Sequence, residues 1–184
     1  MLYSKLIIRA ALATIAGLGI ATTSWAAGSA QSNLGVSGSV LSVCTISTTA
    51  VAFGPYDGIA ANAVNALPAT GAVSLKCTKG SSATVNIGLG LGVQPAGSVR
   101  NMKDGGSNLL KYELYQPNGT LTTSTCAVAP TQIWGTSGSA LFTPSAPAWG
   151  LTAQSFAVCG LVPAGQDVVA GGGYVDTVIA TVNF

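Results

Sequence analysis

Histidine is absent from the sequence, and charged residues make up only 7% of its 184 residues. A nucleophilic serine or cysteine therefore has no histidine to activate it. The patterns Ser-x-x-Lys and Gly-x-Ser-x-Gly, which mark common serine hydrolases, are also missing. A glycosidase needs two carboxylates facing one cleft, whereas the five acidic residues are spread from Asp57 to Asp176 without a local pair. These absences predict that the protein is not an enzyme and has no catalytic residues.

Motifs for metals and cofactors are lacking as well. No two cysteines lie close enough in sequence to form a zinc-binding pair, and no histidine is present to complete a ligand set. Gly88-x-Gly90-x-Gly92 resembles a nucleotide-binding loop, but a β-rich context without a following helix favours a glycine-rich strand end. We expect neither a metal nor a small-molecule cofactor.

The N-terminus has the layout of a secretory signal peptide. Lys5 and Arg9 precede or border an apolar run, residues 10–20, which is shorter than the roughly 20 residues of a membrane-spanning helix. Ser24-Trp25-Ala26 then places small residues where they favour cleavage after Ala26. We therefore assign residues 1–26 to a signal peptide and expect export through the periplasm. An N-terminal membrane anchor is the alternative.

Removal of this segment leaves a net charge near zero. Of the seven basic residues, Lys5 and Arg9 lie in the signal peptide, and the rest are balanced by the five acidic residues. A nucleic-acid-binding protein needs a positive surface to replace the counterions on phosphates. We expect no nucleic-acid partner.

Four cysteines, all in the mature part, indicate two disulfides in an exported chain. They allow three pairings, of which we predict the sequential one, Cys44 with Cys77 and Cys126 with Cys159. The two pairs have the same spacing in the sequence, but the segments between them do not match, so the chain contains no repeat.

Short segments of alternating apolar and polar residues recur between glycine- and proline-containing turns. In one of them Val73, Leu75 and Cys77 alternate with polar residues, which is typical of a strand with one buried face. The predicted strands are residues 72–78, 84–91, 109–115, 154–161 and 174–184, and we expect no helix in the mature chain. Many short strands with such turns predict an all-β sandwich.

The segment before the first cysteine is predicted to be a strand, and it has no obvious partner. Its apolar face consists of Leu34, Val36, Gly38 and Val40. From Leu41 onward the apolar residues fall at odd-numbered instead of even-numbered positions, which sends their side chains to the other face of the strand. We interpret residues 27–40 as a donor strand for another subunit and residues 41–184 as the β-sandwich domain, whose first strand begins at about Leu41.

The C-terminal segment complements this extension. Val178, Ala180, Val182 and Phe184 are predicted to form one face of a last strand that lacks a neighbour and borders an acceptor groove. A strand from the next subunit would fill that gap by strand addition. Head-to-tail donation does not close on itself, so it would produce a fibre.

A set of short motifs spans nearly the whole mature chain in order. They are residues 36–44 with Thr45-Ile46, Phe53-Gly54-x-Tyr56, Val73-x-Leu75-x-Cys77, Arg100-x-Met102, Leu110-x-Tyr112-x-Leu114-Tyr115, Trp134-Gly135, Val162-Pro163-Ala164-Gly165-Gln166, Gly173-Tyr174-x-Asp176 and Thr181-Val182-x-Phe184. Together they resemble the spore coat protein U domain family, which includes subunits of Csu-type, or archaic, chaperone–usher pili.

This resemblance implies an incomplete immunoglobulin-like β-sandwich that lacks its last strand and is completed by donor-strand exchange. The implied partners are identical or related pilus subunits, a periplasmic chaperone that lends a strand, and an outer-membrane usher. The family's disulfide matches Cys44–Cys77, whereas Cys126–Cys159 is not part of its minimal pattern. The expected function is therefore that of a structural subunit of an extracellular fibre.

Two other functions remain open at the level of sequence. One is a secreted glycan-binding or adhesive domain, in which Trp134 or Trp149 would stack on sugars; the competing interpretation places these residues in the core. The other is a coat protein that assembles on a spore or cell envelope without an usher.

Overall fold

The structure, a computed structural model, describes residues 28–81, 86–93, 96–145 and 149–184. The predicted signal peptide and Ala27 lie outside these ranges, as do Thr84 and Val85 of one predicted strand. None of the described helices has the length and apolar character needed to cross a bilayer. The chain divides into two compact units, residues 1–38 and 39–184. Residues 28–38 of the first unit have no regular secondary structure, and their side chains are exposed.

The regular secondary structure of the second unit is almost entirely antiparallel strand, which confirms the all-β prediction. Within the described residues the strands are β1 Cys44–Thr49, β2 Leu67–Cys77, β3 Asn86–Leu89, β4 Arg100–Lys103, β5 Leu109–Tyr115, β6 Gln154–Val162 and β7 Ala180–Asn183. A five-stranded sheet has the order β1-β2-β6-β5-β4, and β3 pairs with β7 in a two-stranded sheet. Every strand pair is antiparallel.

The core is formed by the strand faces that the sequence alternation predicts to be buried. Val73, Leu75 and Cys77 are buried on β2, with Lys76 exposed between the last two. On β5 the same period of two, which follows from the pleat of a strand, buries Leu110, Tyr112 and Leu114. Three aromatic side chains from other segments complete the core: Trp134, Phe142 and Phe156. The ring centroids of Trp134 and Phe142 lie 4.8 Å apart, and those of Phe142 and Phe156 lie 5.3 Å apart.

Several predicted strand boundaries need correction. β2 begins at Leu67 rather than at residue 72, β3 ends at Leu89 rather than at residue 91, and β4 is absent from the predicted set. The predicted strand over residues 174–184 forms a ladder only at Ala180–Asn183, because β3 lies beside the chain only there. The domain's first strand begins at Cys44 rather than at about Leu41. Its partner β2 ends at Cys77, and one backbone hydrogen bond, from the Thr78 N–H to the Val43 carbonyl at 2.8 Å, continues the pairing beyond the two strands.

The expectation of no helix in the mature chain is also wrong in two places. A single α-helical turn, α1, covers Ala61–Val64, and a 3₁₀ turn covers Gly138–Ala140. Asp57 orders the turn that leads into α1, because its carboxylate accepts hydrogen bonds from the backbone N–H groups of Ile59 and Ala60 at 3.1 and 2.9 Å. Such local side-chain bonds stabilise turns that apolar periodicity does not reveal.

The four cysteines form the sequential pairs Cys44–Cys77 and Cys126–Cys159, with Cα–Cα distances of 4.0 and 5.4 Å. The first bridge joins partners in the β1–β2 register, so it holds the start of edge strand β1 against β2. The second joins the segment between β5 and β6 to β6. Closing a loop of 33 residues stabilises the fold by about 3–4 kcal/mol on the chain-entropy model.

Candidate functional site

A groove of about 270 Å³ opens into the core of the second unit. Its floor is mainly apolar and consists of Val73, Leu89, Met102, Tyr112, Leu114 and Val158. Most of these residues are buried, but Met102 and several wall residues remain half-exposed although they pack against the core. The groove therefore exposes part of the core to solvent.

The first wall of the groove is the end of β1 and the segment that follows it, residues 48–53. This segment crosses the five-stranded sheet over two glycines. A Cβ atom on Gly71 would lie 2.6 Å from the Thr49 carbonyl oxygen, and one on Gly160 would lie 2.5 Å from Val51 Cγ1 and 2.7 Å from Phe53 Cζ. Glycine inside a strand permits such a close approach. Val51 and Phe53 thereby reach the groove.

The second wall is the C-terminal segment leading into β7. Between residues 174 and 183, half-buried positions alternate strictly with exposed ones. Val178 and Ala180 line the groove, and Val182 packs against the core beside Ile87. Phe184 is 51% exposed and does not line the groove. Of the four residues predicted for an acceptor strand, the structure thus brings two to the groove and a third to the adjoining core.

Both walls contain strands with a free edge. β1 is an edge strand of the five-stranded sheet, and β7 pairs only with β3 among the described residues. An edge strand presents unpaired N–H and C=O groups that another strand can pair with. The two strands approach to Cα–Cα distances within 8 Å without forming a ladder. A strand inserted between them needs about 9–10 Å, so its entry requires the two edges to separate.

One end of the groove is polar. The Asp176 carboxylate accepts hydrogen bonds from the Tyr112 hydroxyl at 2.7 Å and from the Val93 and Thr177 backbone N–H groups, both at 2.8 Å. Burial, followed by the hydrogen bond to Asp176, raises the pKa of Tyr112 well above its usual value. Tyr112 therefore stays protonated and continues to donate to Asp176 across the ordinary pH range.

The predicted donor segment presents apolar side chains to solvent. Leu34 and Val36 of the first unit are 87% and 88% exposed, and Val40, which belongs to the second unit, is 85% exposed. Between them, a Cβ atom on Gly38 would have nothing within 4 Å. Exposed apolar residues at alternating positions are unfavourable in water unless a partner covers them.

Trp134 is too deeply buried to stack on sugars. Its side chain is fully buried, packs on Phe142, and donates its indole N–H to the Ile87 carbonyl at 2.9 Å. Trp149 is partly buried and packs against the same core. This placement supports the core interpretation of both tryptophans. Among the described residues, no group of three His, Cys, Asp or Glu side chains is arranged to hold a metal ion.

Comparison with known proteins identifies the family. The Spore Coat Protein U domain matches residues 30–181. The chain belongs to this family. Protein U of Myxococcus xanthus is 33% identical over 171 residues, which cover 86% of this chain and 87% of that protein.

A solved structure supports the fold independently. It is the CsuC–CsuE chaperone–tip adhesion subunit pre-assembly complex from the archaic chaperone–usher Csu pili of Acinetobacter baumannii, matched with a TM-score of 0.51 at 22% identity. The match covers 79% of this chain but only 40% of the solved chain. The spore coat U domain described above is accordingly an immunoglobulin-like β-sandwich.

The sequence did not predict that residues 48–53 form the first wall of the groove, or that nearly every strand contributes a residue to its floor. The available signal was local: Val51 and Phe53 alternate just after β1, and Gly71 and Gly160 interrupt two apolar strands. Each pattern by itself is weak, because only the sheet register places both glycines under residues 49–53.

Proposed function

We propose that this protein is a non-enzymatic structural subunit of an extracellular fibre, assembled by donor-strand complementation. Residues 27–40 of one subunit would occupy the groove between residues 48–53 and β7 of the next. The observation that carries this proposal is an open groove with an apolar floor, flanked by two free strand edges, in a chain whose N-terminal segment exposes alternating apolar residues. Membership of the spore coat U family and the fold shared with a Csu pilus subunit support it.

The physical fit between the two parts is straightforward. Leu34, Val36 and Val40 lie on one parity of an extended chain, and each contributes about 1.5–3 kcal/mol when it moves from water into an apolar pocket. The inserted backbone also gains hydrogen-bond partners along the free edges of β1 and β7. Because donor and acceptor lie on different parts of the same chain, repeated donation extends without closing.

Assembly on this scheme requires export and helper proteins. We propose that the signal peptide, residues 1–26, directs the chain to the periplasm, where a chaperone covers the groove with a strand of its own. An outer-membrane usher then exchanges that strand for the donor segment of another identical or related subunit. The mature domain, residues 41–184, would form the body of each unit of the fibre at the cell surface.

The proposal is tested by the size of the purified exported protein with and without residues 27–40. We expect SDS-resistant ladders from the intact protein and only monomers, or chaperone-bound monomers, from the truncated one. An intact protein that remains a stable monomer without chaperone would refute donor-strand assembly.

A coat-type assembly without an usher is the second candidate, favoured by the family's description and by the similarity to Protein U. The genes encoded beside this one distinguish the two, and any outer-membrane barrel gene found among them is then deleted. Fibres that disappear from the cell surface support the pilus, whereas unchanged surface assembly supports the coat.

A further inference from the structure

Arg100 on β4 is a buried cation with no part in the assembly scheme above. Its side chain is only 1% exposed, which is unusual because a buried charge is costly unless it is paired and fully hydrogen-bonded. Here the guanidinium forms an ion pair with Glu113 on β5. The charge is therefore compensated within the five-stranded sheet.

The remaining N–H groups of Arg100 reach out of that sheet. Nη2 donates to the carbonyl oxygens of Leu89, Gly90 and Trp134 at 3.0, 2.7 and 2.7 Å, and Nε donates to Gly90 at 2.9 Å. Leu89 is the last residue of β3, and Gly90 follows it. One side chain thus ties β4 and β5 to the end of β3.

β3 in turn holds the groove wall. Leu89 is the register partner of Ala180 on β7, and both residues line the groove. The Gly90 N–H donates to the Ile179 carbonyl at 3.0 Å, which extends the pairing by one residue. The position of β7 therefore depends on β3, and the position of the β3 end depends on Arg100.

We infer that Arg100 is a positioning residue that holds β7 in place as a fixed template for the incoming donor strand. The inference rests on the proposed function. A wall that is already ordered loses less conformational entropy when a strand pairs with it. An arginine suits this role because its planar fork spreads five donors in fixed directions, whereas a lysine ammonium holds three donors on a single nitrogen.

The alternative is that Arg100 only stabilises the fold as a whole. The variant Arg100→Lys retains the charge opposite Glu113 but loses the planar fork. Val162→Ala is the matched control, since Val162 is fully buried on β6 and does not line the groove. Both variants are made in the full exported chain and compared at a temperature where each remains folded.

Hydrogen exchange of the backbone amides is the first measurement. It is made on chains that also carry Val36→Asp, so that their own donor segments compete poorly for the groove. In Arg100→Lys we expect exchange in β7, residues 180–183, to accelerate about tenfold or more, because the lost bonds involve a charged group. Exchange in β2 and β6 should change much less. Val162→Ala should instead accelerate exchange without singling out β7. A uniform acceleration in Arg100→Lys, or none in β7, overturns the inference.

Uptake of a fluorescent peptide with the sequence of residues 28–40 is the second measurement. All chains carry Val36→Asp here, so that their own N-termini compete poorly for the groove. We expect Arg100→Lys to bind the peptide about tenfold more weakly than the parent, again from the lost charged hydrogen bonds, while Val162→Ala binds it equally well. Equal binding by parent and Arg100→Lys overturns this inference and leaves the proposed function intact. No binding by the parent refutes the proposed function and with it this role, and the exchange data then still decide whether Arg100 anchors β7.

Discussion

At the scale of single residues, two glycines determine where the chain crosses its own sheet. Gly71 on β2 and Gly160 on β6 leave the space in which Val51 and Phe53 lie. Without that space, residues 49–53 would be held away from the sheet and the first wall of the groove would shift. The absence of a side chain at these positions therefore shapes the candidate site as much as the apolar residues do.

Gly160→Ala should lower the free energy of unfolding by about 1–3 kcal/mol, the usual cost of overpacking a core. The added methyl would meet both Val51 and Phe53, at 2.5 and 2.7 Å. Urea denaturation followed by tryptophan fluorescence measures the change. Gly54→Ala is the control and should be nearly neutral, since a Cβ atom there has nothing within 4 Å. Equal effects of the two substitutions would contradict the crossing geometry.

Val36→Asp should slow assembly into SDS-resistant oligomers at least about tenfold, because it replaces about 1.5–3 kcal/mol of apolar burial with the burial of a charge. Ser37→Asp introduces the same charge on the opposite parity and should assemble normally. The measurement is the rate at which ladders form from purified exported protein. Similar rates for both variants would show that the alternation in this segment has no role in assembly.

At the scale of elements, the second wall is a strand for only part of its length. Half-buried and exposed residues alternate from Tyr174 to Asn183, yet a ladder forms only where β3 is adjacent. Before β7 the backbone pairing is sparse: Val175 exchanges two hydrogen bonds of 2.9 Å with Lys103 on β4, and the Ile179 carbonyl accepts one from the Gly90 N–H. A strand inserted there would extend the pairing.

Val178→Asp should abolish the capacity to accept a donor while leaving the N-terminal segment able to donate. Val178 is half-buried in the groove, so a carboxylate there faces apolar residues. Ile179→Asp is the control, because Ile179 is 71% exposed. Mixing each variant with wild-type protein and analysing the oligomers gives the result: Val178→Asp should cap chains at one end, and Ile179→Asp should enter them normally. Long mixed chains containing Val178→Asp would contradict the assigned groove.

At the scale of the whole molecule, the ionisable groups are few, because charged residues make up only 7% of the sequence. The sequence has no histidine, and all four cysteines are in disulfides. Backbone N–H groups of Ala60 and Ile59 lower the pKa of Asp57, and the Asn108 side chain lowers the pKa of Asp104. Burial and Asp176 raise the pKa of Tyr112.

The free energy of unfolding should therefore be nearly constant from about pH 5 to 9. Asp57 and Asp104 titrate at lower pH when folded than when unfolded, so their contribution is present above about pH 4 and is lost as the pH falls. Tyr112 has a raised pKa in the folded state, so its contribution is complete below about pH 10 and is lost as the pH rises further. Urea midpoints across the pH range measure both effects. Tyr112→Phe should reduce the alkaline loss, and a steep change near neutral pH would contradict this account.

Several features of this protein were determined by its sequence alone. The period-two alternation on β2 and β5 predicted which side chains are buried, because the pleat of a strand sends neighbouring residues to opposite faces whatever the rest of the fold does. The strands at residues 109–115 and 154–161 were located to within one residue of their ends. The sequential cysteine pairing was also predicted, although two other pairings were compatible with the sequence.

Only the tertiary structure decided the shape of the candidate site. Contacts between residues far apart in the chain decide where the two tryptophans lie and that Arg100 is buried. They also decide how residues 49–53 cross Gly71 and Gly160. No local pattern reveals such contacts, because an arginine or a tryptophan looks the same in the sequence whether its side chain is exposed or buried. The sheet register brings these residues together, and it follows from the packing of the whole domain.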